Sequence, residues 1–292
     1  MTFVYPAEPS DAIKIALRLG LHRAGRGWRG TCPICGYADA LALDEREGRP
    51  LLWCASCGDR DAMARLLRDT GGLPERRARL PRLDRADPDA RRARAAAVWD
   101  GAEPIGPDSP ASRYLARRRI ASAIGNPALR WRRDCPHPGG GRRIALIAAI
   151  TGPDGALQGV QRIYLDRDGR KAPVEPVKAS LGIVAGGAVR LRPANTELVV
   201  SEGVESAAAA GVILGLAAWA AISAGNMARS MILLPEIRSV VIAADHDEPG
   251  LQSAEAAAAR WRDEARSVRI IRASEPGCDA NDILREAGHD PA

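Results

Sequence analysis

Lysine is nearly missing from this 292-residue chain: Lys14, Lys171 and Lys178 stand against 39 arginines. A composition that writes almost every cation as arginine reflects coding bias, so arginine content by itself carries no argument. Aromatic residues are scarce as well, at 4%, with one Phe, four Tyr and six Trp. That is too few for an extended base-stacking platform of the single-strand-binding kind. The N-terminus, Met1-Thr-Phe-Val-Tyr-Pro-Ala-Glu8, lacks a basic stretch followed by an apolar core, so no secretory signal is read. The six cysteines are therefore expected to be reduced, in a cytoplasmic protein. No Gly-x4-Gly-Lys-Ser/Thr motif occurs, so helicase activity would have to come from a separate partner. There is no internal repeat and no heptad run. One stretch without charge, Ser206 to Gly225, is long enough for a membrane span. It is built mainly of Ala and Gly, is interrupted by Gly211 and Gly215, and follows Glu202 and Glu205. It reads as a buried helix followed by a buried strand, with no membrane partner.

What is present suits about two domains, and 46% hydrophobic residues are ample for packed cores. The net charge of +6 is unevenly spread. Residues 76–143 hold 17 arginines against 7 acids, whereas residues 144–292 are acidic on balance. Arg117-Arg118-Arg119, Arg130, Arg132-Arg133 and Arg142-Arg143 supply much of the central block. On one face they would hold a phosphate backbone without reading sequence; scattered, they are a solvated surface.

Cys32-x2-Cys35 and Cys54-x2-Cys57, with 18 residues between the pairs, have the spacing of a four-thiolate zinc site. Leu41-Ala-Leu43 and Leu51-Leu-Trp53 flank a charged turn, so the insert can return as a hairpin. Four thiolates close the coordination sphere, which makes the zinc structural. Cys135 and Cys278 have no partner at ligand spacing. Helices are expected over residues 11–22, 59–69, 89–99 and 109–118, and a hairpin from 144–150 to 157–165. Residues 71–94 read as a linker between a zinc-binding ribbon module (1–70) and a basic subdomain (95–193). Beyond it, residues 198–201, 217–222, 240–244 and 268–271 are short buried-type strands separated by helix-length segments, the mark of parallel βαβ units in a domain spanning 194–292.

Leu198-Val-Val-Ser-Glu202-Gly203 and Val240-Val-Ile-Ala-Ala-Asp245-His-Asp247 each deliver carboxylates at the carboxyl end of a strand, the edge where parallel α/β sheets bind ligands. Asp245 and Asp247, two apart in extended chain, point the same way. Carboxylates converging there need neutralising, and oxygen donors suit Mg²⁺ or Mn²⁺. Together these motifs resemble the Toprim domain of bacterial-type primases, topoisomerases and some nucleases. The resemblance implies an α/β fold with a Toprim-type parallel sheet flanked by helices, preceded by the zinc ribbon and a mixed α+β basic subdomain. It implies metal-dependent phosphoryl chemistry with Glu202 in proton transfer and Asp245 and Asp247 as cation ligands. Primases of this type often carry an Asp four residues after the Glu. Here Ser206 stands there and Glu205 lies one position earlier, which leaves open whether Glu205 joins the site. Gly277-Cys-Asp279-Ala-Asn-Asp282 is similar to the closing element of the same proteins, with Asp279 and Asp282 either near the metal or capping a helix. Two lysines within eight residues, Lys171 and Lys178, suggest that a compact ammonium is wanted there; by resemblance they and Arg162 face template or nucleoside triphosphate. The run from about Ala95 to Gly203 is also similar to primase/helicase-type proteins of phages, plasmids and integrating elements.

The expectation is a DNA primase acting on single-stranded DNA and nucleoside triphosphates, with Arg117, Arg118 and Arg119 as further nucleic-acid contacts. A Toprim nuclease and a non-catalytic DNA-binding replication accessory are the alternatives. A topoisomerase is disfavoured, because Tyr5, Tyr37, Tyr114 and Tyr164 fall in modules unsuited to strand passage.

Overall fold

A computed structural model of the chain describes residues 11–25, 27–46, 49–56, 59–70 and 87–287. It divides into two compact units, residues 1–83 and 84–292. In the first, helix α1 (Asp11–Arg18) is followed by strands β1 (His22–Ala24), β2 (Gly27–Gly30), β3 (Leu41–Arg46) and β4 (Arg49–Cys54), and by helix α2 (Arg60–Asp69). The strands form one antiparallel sheet in sequence order. Leu41-Ala-Leu43 and Leu51-Leu-Trp53 pair as the expected hairpin. Ile15 and Ala16 of α1 bury against Leu41 and Leu43 of β3 and Met63 and Leu67 of α2. The expected helix over 11–22 is shorter than its apolar period: the chain turns at Gly20, whose φ is +63°, and His22 already belongs to β1. Helix α2 begins where expected because Asp59 caps it, its carboxylate accepting from the Ala62 amide at 3.0 Å.

The second unit opens with helix α3 (Pro88–Asp100), capped by Asp87 with proline at its first position. This is the helix expected over 89–99, one residue longer at each end, and it takes in residues 88–94, which the domain boundaries also give to the linker. Strand β5 (Glu103–Pro104) and helix α4 (Pro110–Arg117) follow, the latter capped by Ser109. Strands β6 (Leu129–Pro136), β7 (Arg142–Thr151), β8 (Leu157–Leu165) and β9 (Lys178–Gly182) complete an antiparallel sheet in the order β5-β6-β7-β8-β9. Successive residues of β7 enter different cores, as pleating requires. Ala145 and Ile147 pack with Ala95 and Val98 of α3, while Leu146, Ala148 and Ile150 join Tyr114 and Leu115 of α4.

A second sheet is built from β10 (Val189–Arg190), β11 (Glu197–Ser201), helix α5 (Val204–Leu214), β12 (Ala218–Ala220), helix α6 (Ala224–Arg229), β13 (Ser239–Ala244), helix α7 (Glu248–Asp263), β14 (Ser267–Arg272) and helix α8 (Ala280–Glu286). Its order is β10-β12-β11-β13-β14, parallel except for β10. The inner strands read Leu-Val-Val and Val-Val-Ile-Ala-Ala without polar alternation because both faces are covered. The uncharged stretch from Ser206 is α5 and β12, a buried helix followed by a buried strand. No helix among the described residues is long and apolar enough to cross a membrane.

Gly182 ends β9 with a φ of +91°, and a Cβ there would lie 2.5 Å from the Gln158 carbonyl oxygen and 2.9 Å from the Ala95 Cβ. The Gly182 carbonyl also accepts from the Arg91 guanidinium. Backbone strain and overpacking then act together. Gly182→Ala is expected to lower stability by about 2–4 kcal/mol, read from denaturant titration of the whole chain. An unchanged midpoint would contradict this packing.

Candidate active site

The register of the parallel sheet decides which side chains share its carboxyl edge. Val200 of β11 pairs with Ile242 of β13, so Glu202 and Asp245, a few residues further along, emerge from neighbouring strand ends. Beyond Glu202 the chain turns through Gly203, the N-cap of α5, and the Glu202 carbonyl accepts from the Ile222 amide at 2.7 Å. Beyond Asp245, Asp247 caps α7, its Oδ1 accepting from the Gly250 amide at 2.7 Å. Gly250 leaves room for this cap: a Cβ at that position would sit 2.6 Å from the Asp245 carbonyl oxygen. The segment before α8 closes the edge, with the His246 amide donating to the Cys278 carbonyl at 3.1 Å and the Gly277 amide to the His246 carbonyl at 2.8 Å.

Crowding of anions leaves a direct electrostatic mark on Asp245. Burial first, then the charges of Glu202, Asp279 and Asp247, push its carboxyl up to about 7, against a smaller opposing pull from Lys178. Its Oδ1 is buried without a hydrogen-bond partner, as are Ser201 Oγ at the end of β11 and His246 Nδ1 of the next residue. A bare carboxylate oxygen among like charges is the condition that a divalent cation with oxygen ligands relieves, so Glu202, Asp245 and Asp247 fit such an ion. Asp279 and Asp282 form a reciprocal capping box on α8. Asp279 Oδ1 accepts from the Asn281 and Asp282 amides at 2.7 and 3.0 Å, and its Oδ2 from the Ser206 hydroxyl at 2.7 Å. Both residues are thus helix caps, and Asp279 in addition bears electrostatically on Asp245.

Glu205, left open by the sequence, is buried at 5% exposure. Lys178 Nζ lies 2.9 Å from its Oε1 and 3.0 Å from its Oε2, and the Tyr114 hydroxyl donates to Oε1 at 2.6 Å. Burial alone would raise this carboxyl. The Lys178 charge, the hydrogen bonds from Tyr114 and Lys178, and the more distant Lys171 hold it down to about 2 instead. Tyr114 had no sequence signal for such a role beyond its place on the apolar face of α4. Glu205 had one, its nearness to Glu202 in the first turn of a helix.

The expected cationic residues divide. Lys178 is on strand β9 and pairs with Glu205. Lys171 bridges to the backbone of Leu165 midway along the loop between β8 and β9, and no ion pair to it is formed among the described residues. Burial of its ammonium and the neighbouring Lys178 charge hold its pKa below the usual lysine value. Arg162, expected to face template or nucleotide, is instead 6% exposed. Its guanidinium is spent on the Pro136, Ala179 and Ser180 carbonyls at 3.0, 3.3 and 3.3 Å. It alternates to the α3 side of β8, where backbone oxygens of β6 and β9 need donors. Arg118 also turns inward, onto Asn281 Oδ1 at 3.2 Å. Arg117 and Arg119 line an open pocket of about 510 Å³ with Arg285. Of the central block, Arg133, Arg142 and Arg143 share a groove of about 1110 Å³ with Arg113, Arg167 and Trp131.

In the N-terminal unit, the Sγ atoms of Cys32, Cys35 and Cys54 lie within 4.8 Å of one another, with Cys35 and Cys54 3.7 Å apart. Cys57, the expected fourth ligand, lies outside the described residues. Three converging thiols suit a soft-to-borderline metal such as zinc. Among the described residues no other trio of His, Cys, Asp or Glu closes to that spacing, so the carboxylates of the parallel sheet stand wider. Cys135 is fully buried, and burial pushes its thiol up to about 11.

The sequence pattern of the Toprim domain matches residues 197–290, the whole of the parallel sheet from β11 onward with its edge, and that part of the chain is a Toprim domain. Residues 89–191 match a domain of unknown function, DUF7146. Solved structures similar to this chain include the zinc-binding and RNA polymerase domains of the Aquifex aeolicus primase, at 15% identity and a TM-score of 0.49 over 96% of this chain and 81% of that one. The primase fragment of the bacteriophage T7 primase-helicase is similar at 15% identity and a TM-score of 0.44, over 89% and 95%. The RNA polymerase domain of the Mycobacterium tuberculosis primase DnaG is similar at 19% identity and a TM-score of 0.43, over 70% and 80%.

A depressed carboxyl stabilises the fold only while it is ionised. Glu205, at about 2 in the folded chain against an ordinary value of 4.5, contributes fully above pH 4.5, and the contribution is lost as pH falls towards 2. Stability of the C-terminal unit is expected to drop by on the order of 3 kcal/mol across that window, measured by denaturant titration at successive pH values. Glu205→Gln should flatten the profile there; a mutant profile as steep as the wild type would count against the assignment.

Proposed function

We propose that the chain, whose residues 197–290 form a Toprim domain, is a DNA primase that lays down short RNA primers on single-stranded DNA. The observation that supports this best is the convergence of Glu202, Asp245 and Asp247 on one strand edge, their charges acting on Asp245, with Asp245 Oδ1 buried and unpartnered and the cation of Lys171 in the preceding loop. Glu202, Asp245 and Asp247 would hold Mg²⁺ or Mn²⁺, which when bound neutralises phosphoryl charge and lowers the cost of nucleophilic attack. Glu202, where β11 passes into α5, takes the proton of the attacking 3′-hydroxyl. Lys171 has its ammonium available for a triphosphate oxygen as a compact point charge. Arg117 and Arg119, and the groove of Arg133, Arg142 and Arg143, hold template phosphates without reading bases, so template binding weakens steeply with salt. A separate replicative helicase would open the duplex.

Zinc belongs to Cys32, Cys35 and Cys54, with Cys57 as the fourth thiolate. Such a closed site stabilises the N-terminal unit and leaves no position for substrate. The ribbon then serves to hold the single-stranded template.

The test is incubation of the whole protein with single-stranded DNA, labelled ribonucleotides and Mg²⁺ or Mn²⁺. Short RNA products are expected, and Glu202→Gln should cut their synthesis by about 10²-fold or more while DNA retention on a filter stays near the wild-type level. Degraded DNA in place of RNA would assign the same edge to nuclease chemistry, and retention with neither product would leave only a binding role. Cys32→Ser is expected to release zinc, read by metal analysis, and to impair template use. Unchanged zinc content would overturn the four-cysteine site.

A further inference from the structure

Lys178 and the carboxylate edge carry opposite charges within electrostatic reach of each other, since the lysine's ammonium is among the charges that act on Asp245. A lysine whose charge acts on an unpartnered buried carboxylate would neutralise the edge by donating to that oxygen. In this fold it does not. Both oxygens of Glu205 hold Lys178 Nζ, at 2.9 and 3.0 Å, and the Tyr114 hydroxyl fixes the same carboxylate at 2.6 Å. Asp245 Oδ1 is left bare.

We propose that Glu205 is a positioning residue that sequesters Lys178, keeping the ammonium off Asp245 so that the edge stays open to a divalent cation. The inference rests on the reading of that edge as a cation site, and it goes beyond it by giving a role to a buried pair that takes no part in the chemistry. The parts divide by origin. Tyr114 comes from α4 and Lys178 from β9, both in the antiparallel half of the unit, while Glu205 lies in the first turn of α5. There the amino end of the helix favours a negative charge, and Tyr114 supplies a donor that stays in place when a cation arrives. Glu205 is nearly without access to solvent, while Lys178 reaches it from the half-exposed side.

An account in which Glu205 simply neutralises a half-buried lysine for stability makes a different prediction. With Lys178 left in place, loss of Glu205 would weaken the cation only through space, by the repulsion of an uncompensated ammonium. Sequestration requires a larger loss, because the freed ammonium donates to Asp245 itself, and recovery of the affinity when that lysine is removed.

The experiment measures Mn²⁺ binding to the whole protein by electron paramagnetic resonance, without nucleotide or DNA. The variants are Asp245→Asn, Glu205→Gln, and Glu205→Gln combined with Lys178→Gln. Asp245→Asn defines the binding that belongs to the edge. Glu205→Gln is expected to weaken that binding by about tenfold, the scale on which residues behind the ligands act, and the double variant to return it towards the wild-type value. The two glutamines can hydrogen-bond each other, so the double variant also tests the fold by its thermal melt. Should the Glu205→Gln single variant not fold, Glu205→Asp, which keeps the charge but shortens its reach, is expected to give a smaller weakening that Lys178→Gln again relieves. Unchanged or tighter Mn²⁺ binding in the folded Glu205 variant, or a double variant as weak as the single one, overturns the inference and leaves the cation site standing. Wild-type protein without any Mn²⁺ binding sensitive to Asp245→Asn overturns the cation site itself, and the inference with it.

Discussion

Charge repulsion at the end of a parallel sheet governs how this C-terminal unit is organised. The register of β11 against β13 delivers Glu202 and Asp245 side by side, Asp247 follows two residues on, and the closing segment adds Asp279. A buried edge cannot carry that many bare anions. The chain disposes of most of them locally. Asp247 and Asp279 each spend an oxygen on helix amides, where aligned peptide dipoles stabilise negative charge. Glu205 is satisfied by a lysine and a tyrosine. Asp245 alone keeps a buried oxygen with no donor, and its elevated pKa records the imbalance. Accepting unrelieved charge at one position is what separates this edge from an ordinary set of helix caps.

The antiparallel half of the unit matters because it supplies the donors that satisfy Glu205. The turn at the end of β9, where Gly182 admits the close approach of β8 and α3, anchors the strand on which Lys178 stands. Arg162, on the same sheet, spends its guanidinium on three backbone carbonyls around that strand. Across the face, α4 presents Tyr114 to Glu205 and Arg118 to Asn281, so one helix grips both the start of α5 and the start of α8. The two sheets share a continuous core, and the polar grip at its rim fixes the approach of the basic side chains to within a hydrogen bond.

Which parts of this were legible in sequence follows from the kind of signal each element carries. The parallel strands announced themselves because burial on both faces removes polar alternation, and α2 and α4 start where expected, behind the caps Asp59 and Ser109, whereas Pro88, which opens α3 behind Asp87, reads in sequence as part of the linker and places that helix start one residue late, at 89. The cysteine spacing and the strand-end carboxylates were legible because ligand geometry and strand direction leave little choice. Strand β6 escaped notice: its Leu-Arg-Trp-Arg-Arg pattern reads as a charged surface until β5 and β7 lie on either side of it. Lys178 and Arg162 looked alike as cations near a phosphate site, and only pleating distinguishes them, sending one towards Glu205 and the other into backbone carbonyls. Long-range pairs such as Tyr114 with Glu205, 91 residues apart, leave no local trace at all.

The placement of Glu205 and Ser206 in the first turn of α5 shows how such a pair can be set by its surroundings. A carboxylate four positions after Glu202, in place of Ser206, would stand at Asp279 Oδ2, which now accepts from the Ser206 hydroxyl at 2.7 Å. Two carboxylates cannot share that contact while both are ionised, and Asp279 is already committed to capping α8. A hydroxyl donates, and so tolerates the neighbour. One position earlier on the helix the side chain is rotated by about 100°, away from α8 and towards β9 and α4, where Lys178 and Tyr114 supply donors. The acid at 205 therefore faces the counter-charge of Lys178 and the hydroxyl of Tyr114, and the hydroxyl at 206 leaves the cap of α8 intact.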